Sequence, residues 1–414
     1  MILYDLAIEL YGLAVRMVSP FNPKAEAWTK GRRDIFARMR EAISPDDRVV
    51  WFHAASLGEF EQGRPLMEAF RKRYPEHKIL LTFFSPSGYE VRKDYEGADY
   101  IFYLPSDTLG RVRRFLDIAR PEAAVFVKYE FWKNYLTQLH RRGIPTYVVS
   151  AVFDSSQLFF RRFGGPYRKL LRLFDRLFVQ NERSRELLAS IGITDVTVCG
   201  DTRFDRVIQI VREAGLPDRR IVDFAGAGGL FIAGSTWPPD DDIIVSLIER
   251  YPQMRFLVAP HELGEAKISS LCERITATGA SVVRFTGNDA PETLASARVM
   301  VLDTIGQLSL AYRYGSVAYI GGGFGVGIHN TLEAATFGMP IAFGPNYKRF
   351  SEAVGLIEAG AARSVSNAGE AAVWLGEMLD TPSLLEQRAR AAESFVMSGE
   401  GAVDKILDYG LLRS

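Results

Sequence analysis

The segment VVWFHAASLGEFEQGRPLMEAF, residues 49–70, holds the pattern that decides the fold. Val49–His53 is a short apolar run of strand length, and Glu59 begins a longer amphipathic stretch of helix length. A second apolar run follows at Ile79–Phe84. A strand, a helix and a strand in this order predict a βαβ unit with parallel strands.

The same alternation repeats on both sides of a glycine-rich stretch. Before it, strand-like runs lie at Val49–His53, Ile79–Phe84, Tyr100–Tyr103, Ala123–Val127, Thr146–Val149, Arg176–Val179 and Val196–Val198. After it, they lie at Leu230–Ala233, Arg255–Ala259, Ser281–Val283, Val299–Leu302, Ser316–Ile320 and Pro340–Ala342. The pattern predicts an α/β protein of two Rossmann-like domains facing a cleft, with ligands at the carboxyl ends of the strands.

The composition sets the predicted domain boundaries. Residues 41–207 form the first Rossmann-like domain and residues 230–414 the second. Glycine and proline accumulate in residues 208–229, which we take as the linker. Residues 1–40 form a helix with a basic flank.

The overall composition excludes several classes of protein. The chain has 414 residues, of which 47% are hydrophobic and 24% charged, so it is neither mainly disordered nor a polytopic membrane protein. No apolar run reaches the roughly 18–20 residues of a spanning helix. Cys199 and Cys272 lie far apart without metal-ligand spacing, which indicates a reducing compartment and no structural zinc.

The charge is unevenly distributed. A net charge of zero argues against a nucleic-acid partner. Residues 1–207, however, carry 33 Lys and Arg against 26 Asp and Glu, a balance of +7, and the remainder carries −7. The first half is therefore suited to an anionic surface.

The first segment has helical periodicity. From Met1 to Val18 apolar residues recur at three- and four-residue steps, while Asp5, Glu9 and Arg16 share one side. Basic residues follow as far as Arg40. An apolar face beside a basic flank is typical of an interfacial helix on anionic lipid, and a first helix packed on the domain's own core is the alternative.

The segment VAYIGGGFGVGIHNTLEAATFGMPIAFGP, residues 317–345, combines a strand with five closely spaced glycines. Glycines let a ligand approach the backbone, and a helix opening at His329 and Asn330 would offer amide groups to phosphate. Glu333, one turn later, could accept both hydroxyls of a ribose. The alternative is that Asn330 and Glu333 only cap the helix. Neither domain begins with the GxGxxG pattern of a dinucleotide site.

Two carboxylates follow strands of the first half. Glu59, after the turn at Ser56 and Gly58, is placed to act as a general base in a cleft. The alternative is a glutamate favoured by the helix dipole. Lys128 and Glu130 end an apolar strand, which is unusual for a purely structural segment and favours a cleft role for Glu130.

Three more turns carry polar groups. Arg203 follows a strand, and its guanidinium could bind phosphate in a bidentate manner; an ordinary surface arginine is the alternative. The other candidates in these turns are Ser235, Thr236, Pro260 and His261. The histidines lack the spacing of metal ligands, and we predict no metal site.

Residues 158–172, LFFRRFGGPYRKLLR, interleave aromatic and basic side chains. Arg161 and Arg162 in this segment could contact a membrane or grip phosphate groups. A core-facing helix with a solvated basic face is the alternative.

Taken in order, these motifs resemble those of the bacterial 3-deoxy-D-manno-octulosonic acid (Kdo) transferases of lipopolysaccharide assembly. The segments that carry the resemblance are HAASLGEF, LTFFSPSGYE, YLPSDTLGRVRRFL, KYEFWKNYL, RRGIPTYVVSA, CGDTRFDRV, AGSTW and GGGFGVGIHNTLEAATFGMPIAFGP. The resemblance implies a GT-B type glycosyltransferase without a cofactor, CMP-Kdo as donor and a lipid A precursor as acceptor. It also implies a peripheral or monotopic position on the cytoplasmic face of the bacterial inner membrane.

The family's residue roles carry over by motif. The glutamate of its Ser-x-Gly-Glu motif, the proposed base, falls on Glu59, and the glutamate of its Glu-Leu-Trp motif falls on Glu130. Its His-Asn-x-x-Glu donor segment is met by His329, Asn330 and Glu333. The implied donor site also takes in Gly325, Gly327, Arg203, Ser235, Thr236, Pro260 and His261, and the implied acceptor site Ser56, Gly58, Lys128, Arg161 and Arg162.

The sequence also departs from the family pattern. Lys128 replaces a carboxylate, which puts acceptor handling in question, and His261 replaces an arginine, which puts nucleotide contacts in question. Arg203 stands where a lysine is usual. Another nucleotide-sugar transferase and a catalytically silent lipid-binding relative are the alternative functions.

Overall fold

The computed structural model describes residues 2–213, 215, 217–226, 229–325 and 327–412. Met1 of the predicted first helix and Gly228 of the predicted linker lie outside these residues. The chain forms two compact units, one of residues 1–206 with 400–414 and the other of residues 207–399.

The first unit contains seven strands and the helices around them in its described part. The strands are β1 (Val49–Ala54), β2 (Lys78–Phe83), β3 (Tyr100–Tyr103), β4 (Ala123–Val127), β5 (Thr146–Ala151), β6 (Arg176–Val179) and β7 (Val196–Val198). The helices are α1 (Ile2–Val18), α2 (Pro23–Gly31), α3 (Ile35–Ala42), α4 (Leu57–Arg73), α5 (Pro86–Arg92), α6 (Leu109–Ala119), α7 (Lys133–Arg141), α8 (Gly165–Leu171) and α9 (Glu182–Ser190). The next helix, α10 (Thr202–Glu213), begins in the first unit and ends in the second.

The strands of the first unit form one parallel sheet in the order β3-β2-β1-β4-β5-β6-β7. This order is that of a Rossmann sheet, with β1 in the centre between β2 and β4. Val50 of β1 pairs with Ile79 on one side and Ala123 on the other. Helices cover both faces, so β1 is buried along its whole length. The predicted parallel α/β architecture is confirmed.

The second unit repeats this plan. Its described strands are β8 (Leu230–Thr236), β9 (Arg255–Pro260), β10 (Val282–Arg284), β11 (Val299–Val301), β12 (Gly315–Ile320), β13 (Ile341–Phe343) and β14 (Ala362–Ser364). Its helices are α11 (Arg219–Ala225), α12 (Pro238–Arg250), α13 (Glu265–Ala277), α14 (Pro291–Ser296), α15 (Leu308–Ala311), α16 (Leu332–Thr336), α17 (Ser351–Glu358), α18 (Ala368–Asp380) and α19 (Pro382–Ser398).

The second sheet is also parallel, in the order β10-β11-β9-β8-β12-β13-β14. Its short edge strand β14 was not predicted, because two of its three residues, Arg363 and Ser364, are polar and no apolar run marks it. Most of the described part of the predicted linker, 208–229, is helical, since α10 continues to Glu213 and α11 follows.

The carboxyl end of the chain corrects the predicted boundary at 230–414. The last helix, α20 (Ala402–Tyr409), belongs to the first unit. Val403, Ile406 and Leu407 are buried in the same apolar cluster as β1 and β2. The backbone N–H of Gly401 donates to Asp205 at 2.8 Å and fixes the start of this helix. Amphipathic spacing predicts a buried face but does not say which sheet covers it.

No helix among the described residues is long and apolar enough to cross a bilayer.

The packing of α20 leads to a prediction about the stability lost when its buried side chain Ile406 is truncated. Ile406 is fully buried, so we expect Ile406→Ala to lower the free energy of unfolding of the first unit by about 2–5 kcal/mol. Val91→Ala in α5 is the control, because that side chain is 58% exposed. Urea unfolding measures both variants. An equal effect of the two substitutions would contradict the placement of α20.

Candidate active site

The carboxylate of Glu59 lies at the carboxyl edge of the first sheet, where β1 ends and α4 begins. One of its oxygens, Oε2, accepts hydrogen bonds from the backbone N–H of Ala55 at 2.6 Å and of Ser56 at 3.1 Å. Ser56 is the N-cap residue, and the pair forms a capping box. Within the described chain, Oε1 of Glu59 accepts no hydrogen bond. The capping interpretation is therefore correct for one oxygen, and the other is available to a ligand.

The surroundings of Glu59 raise its pKa. Burial is the largest cause and the negative charge of Glu130 the second; His53 and the two backbone donors oppose them. Desolvation disfavours the charged carboxylate, and a like charge nearby adds to this effect. A half-buried carboxylate with a raised pKa is a stronger proton acceptor than an exposed one, as a general base requires.

A buried hydrogen-bond network positions Glu130. His53, fully buried in β1, contacts Oε2 of Glu130 through Nε2 at 3.1 Å. Its Nδ1 lies 2.9 Å from the hydroxyl of Thr82 in β2. The indole Nε1–H of Trp132 donates to the same oxygen of Glu130 at 2.6 Å. The expected cleft role of Glu130 thus has a rigid support beneath it.

Sequence reasoning missed His53 and Trp132 as site residues. The available signal was a histidine inside an otherwise apolar strand, VVWFHA, which needs a polar partner when buried. Parallel pairing of β1 with β4 then places that partner on the segment after β4. Trp132 was visible in the motif KYEFWK but carried no assigned role.

Three non-glycine residues with positive φ stand in or just after strands. They are Lys128 with φ 62°, Ser150 with φ 56° and Ser235 with φ 54°. Such conformations are strained for residues with a side chain and concentrate at functional sites. Lys128 and Ser235 were predicted site residues; Ser150, whose hydroxyl bonds Thr202 at 2.8 Å, was not.

The other predicted residues of the first unit have mixed surroundings. Gly58 is exposed on the first turn of α4, and a Cβ there would meet no atom within 4 Å. Arg203 at the start of α10 donates from Nε and Nη2 to Asp201, at 2.9 and 2.6 Å. A phosphate would have to share this guanidinium with Asp201.

The basic and aromatic segment after β5 is partly core and partly surface. Phe159 is buried, whereas Phe163 is 86% exposed. Arg161 holds the carbonyl of Ser156 at 3.0 Å, and Arg162 lies beside Phe163. The alternative of a core-facing helix applies only to α8, because residues 158–160 form a short 3-10 turn.

In the second unit, Asp240 fixes the glycine-rich turn after β12. This fully buried carboxylate accepts from the backbone N–H of Gly322 at 2.8 Å and of Trp237 at 2.9 Å. It also accepts from the hydroxyl of Tyr319 at 2.8 Å. One side chain at the start of α12 thus joins the end of β8 to the end of β12.

The glycines of this turn have two different tasks. At Gly321, Gly322 and Gly323 a Cβ would collide with neighbouring backbone, so these three glycines serve close packing. At Gly325 a Cβ would meet nothing within 4 Å, and the backbone is open to a ligand. Gly327 has φ 120°, which requires glycine.

The helix after this turn is shorter than expected. It begins at Leu332 rather than at His329, and α16 has only five residues. The expected helix dipole is correspondingly weak. The backbone N–H groups of Asn330 and Thr331, however, have no acceptor within the described chain, and the buried hydroxyl of Thr331 is also unpaired. These donors can still bind an anion.

Glu333 and Asn330 form one cluster. The amide of Asn330 donates to Oε1 of Glu333 at 2.9 Å, and its oxygen accepts from the N–H of Leu332 at 3.0 Å. The hydroxyl of Ser309, which sequence reasoning missed, donates to Oε2 of Glu333 at 2.5 Å. The capping interpretation holds for Asn330, while Glu333 is oriented by two side chains rather than by the backbone.

His329 belongs to an aromatic stack. The indole Nε1–H of Trp237 donates to Nε2 of His329 at 3.0 Å, and the ring of His261 stacks on that of His329 with centroids 4.5 Å apart. Burial, with a smaller effect of His261, lowers the pKa of His329 to about 4. His329 is therefore neutral at pH 7, with its proton on Nδ1.

The remaining predicted donor residues also lie at the carboxyl edge of the second sheet. Thr236 ends β8 and is buried, and Pro260 ends β9. These two residues pair across the strands. In the described part of the chain, no cluster of three or more His, Cys, Asp or Glu is placed to hold a metal ion.

Removal of the Asp240 carboxylate tests the organisation of this turn. We expect Asp240→Ala to cost at least about 3 kcal/mol of stability, because three buried donors lose their acceptor. The control is Asp242→Ala, two residues along the same helix, whose exposed pair with Arg274 is worth at most about 1 kcal/mol. Urea unfolding provides the comparison, and equal costs would rule out the proposed organising role.

Comparison with known proteins shows which proteins the chain is similar to. The model of the 3-deoxy-D-manno-octulosonic-acid transferases (kdotransferase) matches residues 30–206. The 3-deoxy-D-manno-octulosonic acid transferase of Bordetella pertussis is 28% identical, over 96% of this chain and 97% of the relative. That of Haemophilus influenzae is 25% identical, over 89% of this chain and 87% of the relative.

Solved structures support the same fold. UDP-GlcNAc 2-epimerase from Neisseria meningitidis matches with a TM-score of 0.62 and 14% identity, over 87% of this chain and 98% of that structure. A glycosyltransferase from Rickettsia africae matches with a TM-score of 0.57 and 9% identity, over 88% and 98%. Over residues 30–206 the chain is thus similar to the 3-deoxy-D-manno-octulosonic-acid transferase model, and over most of its length it is similar to curated transferases of that name; these matches support a Kdo transferase.

Proposed function

We propose that this enzyme transfers Kdo from CMP-Kdo to a lipid A precursor, with inversion and without a divalent metal. The observation that carries the proposal is the carboxylate of Glu59, which has one oxygen fixed by backbone donors, one oxygen open and a raised pKa. Relatives named as 3-deoxy-D-manno-octulosonic acid transferases over nearly the whole chain support the choice of sugar.

In the proposed step, Oε1 of Glu59 takes the proton of an acceptor hydroxyl. The hydroxyl oxygen forms a bond to the anomeric carbon of the sugar, and the bond from that carbon to the phosphate oxygen breaks. Its electron pair leaves with CMP. A single displacement of this kind inverts the anomeric centre. Glu130, held by His53 and Trp132, orients the acceptor beside Glu59.

The second unit is proposed to hold the donor. The phosphate accepts hydrogen bonds from the free N–H groups of Asn330 and Thr331 and from the hydroxyl of Thr331. Glu333 accepts hydrogen bonds from the hydroxyls of the ribose. Amide and hydroxyl donors aimed at the leaving phosphate stabilise its developing charge, which is the task a metal would otherwise perform. His329 adds one donor at Nδ1.

The helix α1 is proposed to lie in the membrane interface. It contacts the first unit through hydrogen bonds near its start, where Tyr4 bonds Asp107 at 2.7 Å and Asp5 accepts from Asn134 at 2.8 Å. Its apolar side faces outward, with Leu3 82% and Met17 64% exposed. A helix that turns its leucines away from the protein is matched to lipid rather than to the domain core. We place the enzyme on the cytoplasmic face of the inner membrane.

The experiment that tests the proposal is a transfer assay with freshly generated CMP-Kdo and a tetra-acylated lipid A precursor. The assay is freed of divalent ions for the transfer step and is analysed by product mass. The proposal expects a mass gain of one or more Kdo units. If product forms only with a UDP-sugar, the donor is a different nucleotide sugar. If the protein binds CMP but forms no product, the acceptor is a different molecule.

Substitution of Glu59 tests its role as base. Glu59→Gln keeps an oxygen that accepts from Ala55 and Ser56 but cannot take a proton, so we expect turnover to fall about 10²–10⁴-fold with CMP binding retained. Glu61→Gln, on the same helix and paired with Arg92, serves as control. Turnover of Glu59→Gln near that of the control would remove Glu59 from the base role.

Replacement of Glu130, whose negative charge lies near Glu59, is expected to shift the pH profile of sugar transfer. The base must be ionised, so kcat/KM falls as pH drops through the raised pKa of Glu59. Glu130→Gln removes the like charge, lowers that pKa and moves the acid limb to lower pH. Even if the maximal rate of this variant is reduced, the position of the limb can be measured. If the acid limb of the Glu130→Gln profile stays at the same pH, the result would contradict the electrostatic coupling between Glu130 and Glu59.

A further inference from the structure

An unassigned cavity of about 800 Å³ lies in the first unit beneath α1. It is bounded by one side of α1, by residues 28–37 and by the start of α6. None of the residues given a part in sugar transfer lines it. Its wall carries five arginines against two carboxylates; the arginines are Arg16, Arg32, Arg33, Arg111 and Arg114.

Most of this positive charge is uncompensated. Glu9 pairs with Arg111, which accounts for one carboxylate and one arginine. Arg16, Arg33 and Arg114 have no carboxylate partner among the described residues. The lining is therefore an anion-attracting surface rather than a network of closed ion pairs.

Arg32 in the wall of the cavity is half-buried and has no carboxylate partner among the described residues. Its guanidinium donates to the carbonyls of Leu104 and Phe84, both at 2.9 Å, and lies 4.0 Å from the ring centroid of Trp28. Burial lowers its pKa to about 9. A desolvated cation that faces only carbonyls and rings gains from an anionic ligand.

Two further polar groups of the wall lack partners. Nε1 of Trp28 and the hydroxyl of Thr29 are buried and make no hydrogen bond. Unpaired buried donors are rare in proteins and mark sites where a ligand or ion binds. Both residues line the cavity beside several guanidinium groups, which are the side-chain groups that bind phosphate.

The same wall is apolar on its α1 side. Leu10 and Leu13 line the cavity and are 56% and 51% exposed, and they continue into the outward apolar face of α1. A ligand that fits both the basic part and the apolar part of this wall has a phosphate and an adjoining alkyl chain.

We propose that this cavity binds the phosphate headgroup of an anionic membrane phospholipid, with its acyl chain along α1. The inference rests on the proposed membrane position of α1 and adds a defined lipid site to it. The bilayer lipid, rather than the acceptor, is the chosen occupant because the cavity is built on the helix proposed to lie in the interface and its lining is separate from Glu59.

The first test measures binding of the full chain to vesicles of phosphatidylcholine with a minor fraction of phosphatidic acid. The test variant is Arg33→Gln with Arg114→Gln. The matched control is Arg40→Gln with Arg113→Gln, which removes the same charge from exposed positions of α3 and α6 outside the cavity. We expect the test pair to lose about 30-fold in affinity and the control pair much less. Equal losses would mean diffuse attraction and would overturn the site.

The second test measures the unsubstituted chain and uses a variant only to assign one resonance. The indole N–H resonance of Trp28 is followed by NMR, assigned with Trp28→Phe, while soluble dihexanoyl phosphatidic acid is added. We expect a saturable shift of Trp28 and none of Trp374, which is buried in the second unit.

Three results of the NMR titration would overturn the proposal. They are no shift of Trp28, an equal shift with dihexanoyl phosphatidylcholine, and an equal shift with inorganic phosphate alone. Displacement of the short-chain lipid by the lipid A precursor at lower concentration would reassign the cavity to the acceptor. Neither test measures sugar transfer, so a negative result for lipid binding is distinct from a failure of the proposed function.

Discussion

The hydrogen bonds from the backbone of Ala55 and Ser56 to Glu59 are the interaction on which this account depends. They fix a carboxylate at the end of a central buried strand, where the backbone itself holds one oxygen. The capping box therefore does not compete with a catalytic role. It orients the second oxygen and leaves the carboxylate partly desolvated, and that desolvation raises its pKa.

The same physical device recurs in the second unit with a different residue. Asp240, at the start of α12, binds the backbone of the glycine turn as Glu59 binds the start of α4. In both units a carboxylate at a helix start organises the carboxyl edge of a parallel sheet. In the first unit the carboxylate is left half open, and in the second it is fully buried, so the open donors there are amides and hydroxyls of residues 330 and 331.

Much of this architecture was predictable. Apolar runs that alternate with amphipathic stretches predicted all seven strands of the first sheet, because each of these strands is marked by an apolar run. The strand β14 was not predictable because it is not an apolar run, and the attachment of α20 to the first unit was not predictable because it depends on which surfaces meet. Residue type at the strand ends was enough to predict Glu59, Glu130 and Asn330 as site residues. His53, Ser309 and Asp240 did not, because each acts through a partner distant in sequence.

The central claim is that Glu59 removes a proton and does not merely cap its helix. Chemical rescue tests it most directly: Glu59→Ala leaves space for a small carboxylate, and turnover is measured as formate is added. We expect a saturable return of activity with formate in Glu59→Ala and none in Glu59→Gln, whose amide fills the space. A Glu59→Ala enzyme that is folded, binds CMP and stays inactive at every formate concentration would contradict the claim.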